Sequence, residues 1–113
     1  MSTITEHSSL LTLINVFNVT PGRQQELVDH LIEATDQTVR KLPGFVSANI
    51  HKSLDGVRVT NYAQWQSKSA FEAFVRNPVA SAHFQKAESI AERLDYHTYT
   101  VEHVAIGENK VSH

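Results

Sequence analysis

With 113 residues the chain has one domain's worth of length, and a fold of that size buries roughly two-thirds of its unfolded surface around a single core. Hydrophobic residues make up 41% and charged residues 19%; the formal charge is −2, Lys and Arg are scattered singly, and no apolar run approaches the roughly 20 residues of a membrane span, so neither a nucleic-acid nor a membrane partner is expected. Cysteine is absent, which excludes disulfides, thiolate metal sites and a cysteine nucleophile.

Residues 1–9 are polar, lack a basic segment followed by an apolar one, and are expected to be a flexible lead-in to a cytoplasmic protein. From Leu10 to Val19 the chain is rich in β-formers and apolar on both alternating faces, so it predicts a strand covered on both sides. Leu11, Leu13, Asn15, Phe17 and Val19 share one of those faces. Thr20-Pro21 reads as an N-cap with proline at the first helical position. Leu27, Leu31, Thr35, Thr38 and Leu42 then recur at helical spacing over about five turns, ended by Pro43-Gly44.

Residues 45–53 alternate, with Val46, Ala48 and Ile50 on one face and Ser47, Asn49, His51 and Ser53 on the other. Leu54-Asp55-Gly56 is a hairpin signal. The returning strand, residues 57–65, carries Val57, Val59, Asn61, Ala63 and Trp65 on one side. Ser69 to Glu72 fits a capping box opening a short helix that Asn77-Pro78 interrupts. A further helix over residues 79–94 puts His83, Ala87, Ile90 and Leu94 on one stripe; residues 96–106 read as a strand and residues 107–113 as a polar tail.

The order β-α-β-β-α-β is the split βαβ of an α+β, ferredoxin-like fold, with residues 10–106 as the domain. It predicts a four-stranded antiparallel sheet with helices on one face. Leu, Val, Ile and Ala side chains are expected on the other face, where no further element of the chain can cover them. A homodimer packed sheet against sheet is the expected solution, giving a dimeric α+β barrel.

Three segments carry a resemblance: Pro43-Gly44-Phe45, His51 through Gly56, and Asn61-Tyr62-Ala63-Gln64-Trp65-Gln66-Ser67. Together they resemble the antibiotic biosynthesis monooxygenase family, and within it the members that oxidise anthrones and dihydroquinones to quinones. The resemblance covers roughly residues 10–106. It implies a small aromatic substrate held between sheet and helices, and oxidation by O2 without flavin, haem or metal. The chain accordingly lacks GxGxxG, Walker, HExxH and dense histidine motifs.

Asn61 and Trp65 lie four apart on one strand and project from the same face, about 13 Å apart along it. In the quinone-forming relatives this pair is implied to activate the substrate: the amide as a hydrogen-bonding group for a developing oxyanion, the indole as a stacking surface with one N–H donor. The plainer alternative is a core tryptophan and a satisfied polar residue. His51 is a candidate proton acceptor or else a surface histidine beside a hairpin. Asn15, Phe17, Phe71, Phe74 and His83 are candidate substrate contacts. Asn15 and His83 also resemble the pair that flanks porphyrin in the haem-degrading branch of the superfamily, so haem is the runner-up cofactor, although Phe74 stands where that branch has Trp. The quinone-forming members carry Tyr where this chain has Phe71, and Arg where it has His83 or Phe84. No metal site is expected.

Overall fold

Strand β1 (Leu11–Asn18) is central, with a strand on each flank; its Leu13, Asn15 and Phe17 face is buried under the helices, while Ile14 and Val16 on the other face are only half-buried within the chain. It pairs antiparallel with β3 (Arg58–Trp65) on one flank and β4 (Arg93–Tyr99) on the other, and β3 pairs with β2 (Phe45–Lys52). The sheet order β2-β3-β1-β4 is that of a ferredoxin-like α+β fold. Helices α1 (Gln24–Gln37), α2 (Lys68–Arg76) and α3 (Pro78–Ile90) complete the element order. The computed structural model describes residues 10–108; the expectations for residues 1–9 and for residues 109–113 of the tail lie outside them.

The core lies between α1, α3 and the sheet. Phe17, Val19, Leu27, Val59, Ala87 and Ile90 are each at most 4% exposed and pack as one cluster. Burying one such Leu, Ile or Phe side chain contributes about 1.5–3 kcal/mol, so the cluster supplies much of the driving force that holds the helices on this face.

Several boundaries differ from the sequence expectation. Thr20-Pro21 does not cap a helix. The Thr20 carbonyl accepts from the Arg23 N–H at 3.1 Å, with Pro21 and Gly22 (φ 95°) at the two central positions. That is a type II turn, which needs a positive φ at its third residue. Helix α1 therefore starts after Arg23, whose guanidinium pairs with Glu26 in the first turn. It ends at Gln37 rather than running to Leu42, because Thr38 leaves helical geometry and residues Val39–Lys41 form a short 3-10 turn. Leu42 is extended, as a residue before proline prefers.

Strand β2 contains a bulge. Phe45 pairs with Trp65, yet Ser47 pairs with Gln64, leaving Val46 as the extra residue. The bulge changes the alternation, so Phe45 joins Ala48 on the helix-facing side while Val46 is 39% exposed. Ser67, not Ser69, caps α2: its hydroxyl accepts from the Ala70 N–H at 3.1 Å. Asn77 caps α3, with Pro78 at its first position. Helix α3 ends at Ile90, four residues early, because Ala91 is extended. Leu94 consequently lies on β4 opposite Phe17, and β4 spans residues 93–99 instead of 96–106.

The outer sheet face is more polar than expected. Ile14, Val16 and Tyr62 lie on it, but Ser47, Asn49, His51, Thr60 and Gln64 share it, while Ala48, Asn61 and Ala63 point toward the helices.

Candidate active site

A cavity of about 60 Å³ opens between the sheet and helices α1 and α3. The helix-facing alternation of the central strands supplies its floor: Asn15 and Phe17 from β1, Asn61 and Trp65 from β3. Phe74 from α2 and His83 from α3 supply its roof. Six of the eight sequence candidates thus share one cavity. Phe71 lines a second cavity of about 140 Å³ that shares the Leu13, Asn15, Phe74, Ala80 and Phe84 walls with the first.

His51 is placed elsewhere. It pairs with Thr60 in the β2–β3 register, so its side chain lies on the outer face, away from Asn61 and Trp65. It is exposed, and its Nδ1–H donates to the Asn49 carbonyl at 3.1 Å. The period-two alternation puts it opposite the cavity, because Ala48 and Asn61 point inward.

Trp65 is 1% exposed and sits in an aromatic stack. Phe74 stacks on its indole at 4.8 Å between ring centroids, Phe45 meets it edge-on at 5.5 Å, and Phe71 lies 6.1 Å beyond Phe74. Each such pair contributes about 0.5–1.5 kcal/mol beyond its area burial. Yet the Trp65 Nε1–H is buried with no hydrogen-bond partner, and so are the side-chain oxygens of Asn15 and Asn61. A buried polar group left unpaired costs about 1–3 kcal/mol. Three such groups in one small aromatic cavity are a poor solution for a core and a good one for a binding site. The unmet groups are one indole donor and two amide oxygens that can only accept.

His83 is the one ionisable side chain lining this cavity among the described residues. One contact holds its ring and another its backbone. Its Nε2 stands 3.2 Å from the Thr38 hydroxyl, at the residue where α1 breaks, and its carbonyl accepts from the buried His30 Nε2–H at 2.8 Å. His30 shows helical spacing with Leu27 and Ala34, but nothing in its sequence neighbourhood announces a contact with α3. Phe45, which lines the first cavity, and Tyr96, which lines the second, are residues that sequence reasoning did not single out. The bulge hides Phe45, and the misplaced start of β4 obscures Tyr96, which the register sets opposite Asn15.

A ferredoxin-like sheet whose helices enclose an aromatic pocket with unpaired amide and indole groups defines a small-molecule site. Residues 10–88 match the antibiotic biosynthesis monooxygenase family. The chain is 46% identical over 91 residues to the tetracenomycin-F1 monooxygenase of Streptomyces glaucescens, covering 80% of this chain and 81% of that enzyme. Among solved structures it is similar to the ActVA-Orf6 monooxygenase of Streptomyces coelicolor in complex with nanaomycin D, with TM-score 0.78, 27% identity, and 87% and 92% of the two chains covered. SnoaB, a cofactor-independent oxygenase of Streptomyces nogalater, shares the fold at TM-score 0.76 and 19% identity over 86% and 97% of the chains. The chain belongs to the antibiotic biosynthesis monooxygenase family, and it is a monooxygenase.

Proposed function

We propose that this monooxygenase oxidises a phenolic polycyclic aromatic, of the anthrone or dihydroquinone type, to a quinone with O2 and without a bound cofactor. The observation that carries the reading is the set of unpaired polar atoms of Asn15, Asn61 and Trp65 inside one aromatic-walled cavity. A flat hydroxylated ring satisfies those atoms and stacks on the same walls. The nature of the relatives named above supports the class of reaction.

For an anthrone the chemistry balances as follows. A proton leaves the hydroxyaromatic, and His83 is the group placed to accept it, a role His51 on the outer face is not placed to fill. The Asn61 side-chain N–H and the Trp65 N–H donate to the oxygen on which negative charge then resides, while the unpaired Asn oxygens accept from the substrate's hydroxyls. The delocalised carbanion gives one electron to O2, and the resulting radical pair combines to a peroxide at the former CH2 carbon. Loss of the second hydrogen from that carbon, with O–O cleavage, leaves a carbonyl and water. One oxygen atom enters the product, the other leaves as water, and the substrate supplies all the electrons. The protein contributes proton transfer, orientation and a dry cavity.

The haem alternative draws less support. His83 Nε2, the nitrogen that would have to reach an iron, is engaged with the Thr38 hydroxyl. A homodimer joined through the outer sheet face is part of the proposal. The half-buried Ile14, Val16 and Tyr62 stripe on that face supports it.

The test is oxygen uptake by chelator-treated, flavin-free protein given a hydroxyanthrone. The expected result is one O2 consumed per quinone formed. Uptake that begins only after flavin or haem is added overturns the reading.

A further inference from the structure

The inner cavity, at about 60 Å³, is too small for the substrate class its walls select, since one benzene occupies a cavity of about 150 Å³. The outer cavity, at about 140 Å³, is close to the room one ring needs. The two are separated by side chains common to both, chiefly Phe74 and Phe84. These are held differently. Phe74 stacks on the indole of Trp65 and meets Phe71 at a tilt, with ring centroids 6.1 Å apart. The ring neighbour of Phe84 is Tyr96, edge-on at 6.1 Å and itself 51% exposed. Phe84 is therefore the wall less tied by ring contacts, and its one ring neighbour is itself half-exposed.

The outer cavity also has its own polar chemistry. Ser81 and Tyr96 bring hydroxyls to it, and the unpaired Asn15 oxygen lies on the wall it shares with the inner cavity. Val75, 54% exposed, marks its solvent side.

We propose that the two cavities are one substrate site divided by Phe84, and that fused-ring substrates bind astride the divide. The reacting ring lies inside, beside Asn61 and Trp65. A distal, oxygen-bearing ring lies outside between Phe71 and Tyr96, where the hydroxyls of Ser81 and Tyr96 meet its substituent. Phe84 then determines specificity: its turn admits a substrate of several fused rings, and its bulk sets how readily. The proposal rests on Asn61 and Trp65 marking the reacting end.

Trp65 is the only tryptophan in the chain, so quenching of its fluorescence reports occupancy of the inner cavity without any turnover. The probes are hydroxynaphthoquinone, hydroxyanthraquinone and hydroxytetracenequinone, with two, three and four fused rings and no further oxidation to undergo. Wild-type affinity is expected to rise with ring number. Phe84→Ala should favour the four-ring over the two-ring probe by a further factor of about ten, and Ser81→Phe, which fills the outer cavity from its partly exposed side, should reverse that preference by a similar factor. Melting temperature shows whether each variant is folded, and Ser81→Phe keeps the test open if Phe84→Ala is not. A folded Ser81→Phe protein with the wild-type ratio of affinities overturns the divided site. Ring-dependent quenching without oxygen uptake from any anthrone instead overturns the oxygenase reading and leaves the divided site standing.

Discussion

At the scale of single residues, the cavity is a place where stability has been given up. Asn61 stands in the middle of β3 between Ile50 and Asn15, two positions that would accept an apolar neighbour, and its oxygen is buried without a partner. If Asn61 serves only the core, Asn61→Leu removes a desolvation cost of about 1–3 kcal/mol and raises the melting temperature with no effect on rate. If it holds the developing oxyanion, the same change lowers kcat by roughly 10²–10³-fold while the protein stays folded. The expected outcome is the second: a melting temperature at or above wild type, with turnover lost in the oxygen-uptake assay. Unchanged kcat would return Asn61 to the core. His83 belongs to the same cavity; its ring is held by Thr38, the residue at which α1 ends, and its backbone carbonyl by His30 of α1, so its environment is assembled from two helices.

At the scale of elements, the Pro43-Gly44-Phe45 segment shows what a short motif does physically. Gly44 has φ 81°, and a Cβ placed on it would stand 2.4 Å from the Cβ of Ala70 in α2. Its carbonyl accepts from the Gln66 N–H at 2.7 Å, tying the end of β3 to the start of β2. Gly44→Ala combines a left-handed conformation with overpacking against α2, at an expected loss of roughly 2–5 kcal/mol measured by denaturant unfolding. Because α2 carries Phe71 and Phe74, the same variant should also weaken quinone binding; a loss below about 0.5 kcal/mol would show that α2 simply moves aside.

The elements were largely legible in the sequence because periodicity reports which face is buried, and Asn61, Ala63 and Trp65 did prove to share the inward face of β3. Three features were not legible. A bulge is invisible to alternation, so Val46 was assigned the place that Phe45 takes. Pro21 fits either a helix start or a turn, and the positive φ of Gly22 decides for the turn. Leu94 continues the helical stripe of α3, and only pairing with Phe17 draws it into β4. In the site, residue type and motif located the β3 pair, whereas His51 sits within a matched segment and yet points the other way.

At the scale of the whole molecule, the question is what meets the outer face of the sheet. Thr12 and Gln64 are each 1% exposed there and share a hydrogen bond of 3.3 Å, while the Gln64 oxygen and the Ser47 hydroxyl beside it find no partner. Ile14, Val16 and Tyr62 form an apolar stripe across β1 and β3 that is only half-buried. An isologous contact through this stripe would cover it twice over, while Thr12, Gln64 and the Ser47 hydroxyl are already covered within the chain itself. The face carries fewer apolar groups than sequence patterning suggested, so such a dimer is expected to depend strongly on its few central side chains. Val16 is the sharpest probe, because it lies between Thr60 and Asp95 on the outer face and does not line the candidate cavity. Val16→Asp would set two carboxylates side by side in each protomer, with their counterparts across the interface. Light scattering should give twice the 12.7 kDa chain mass for wild type and the single mass for Val16→Asp. A wild-type protein that scatters as a monomer at micromolar concentration would show that the stripe needs no second copy.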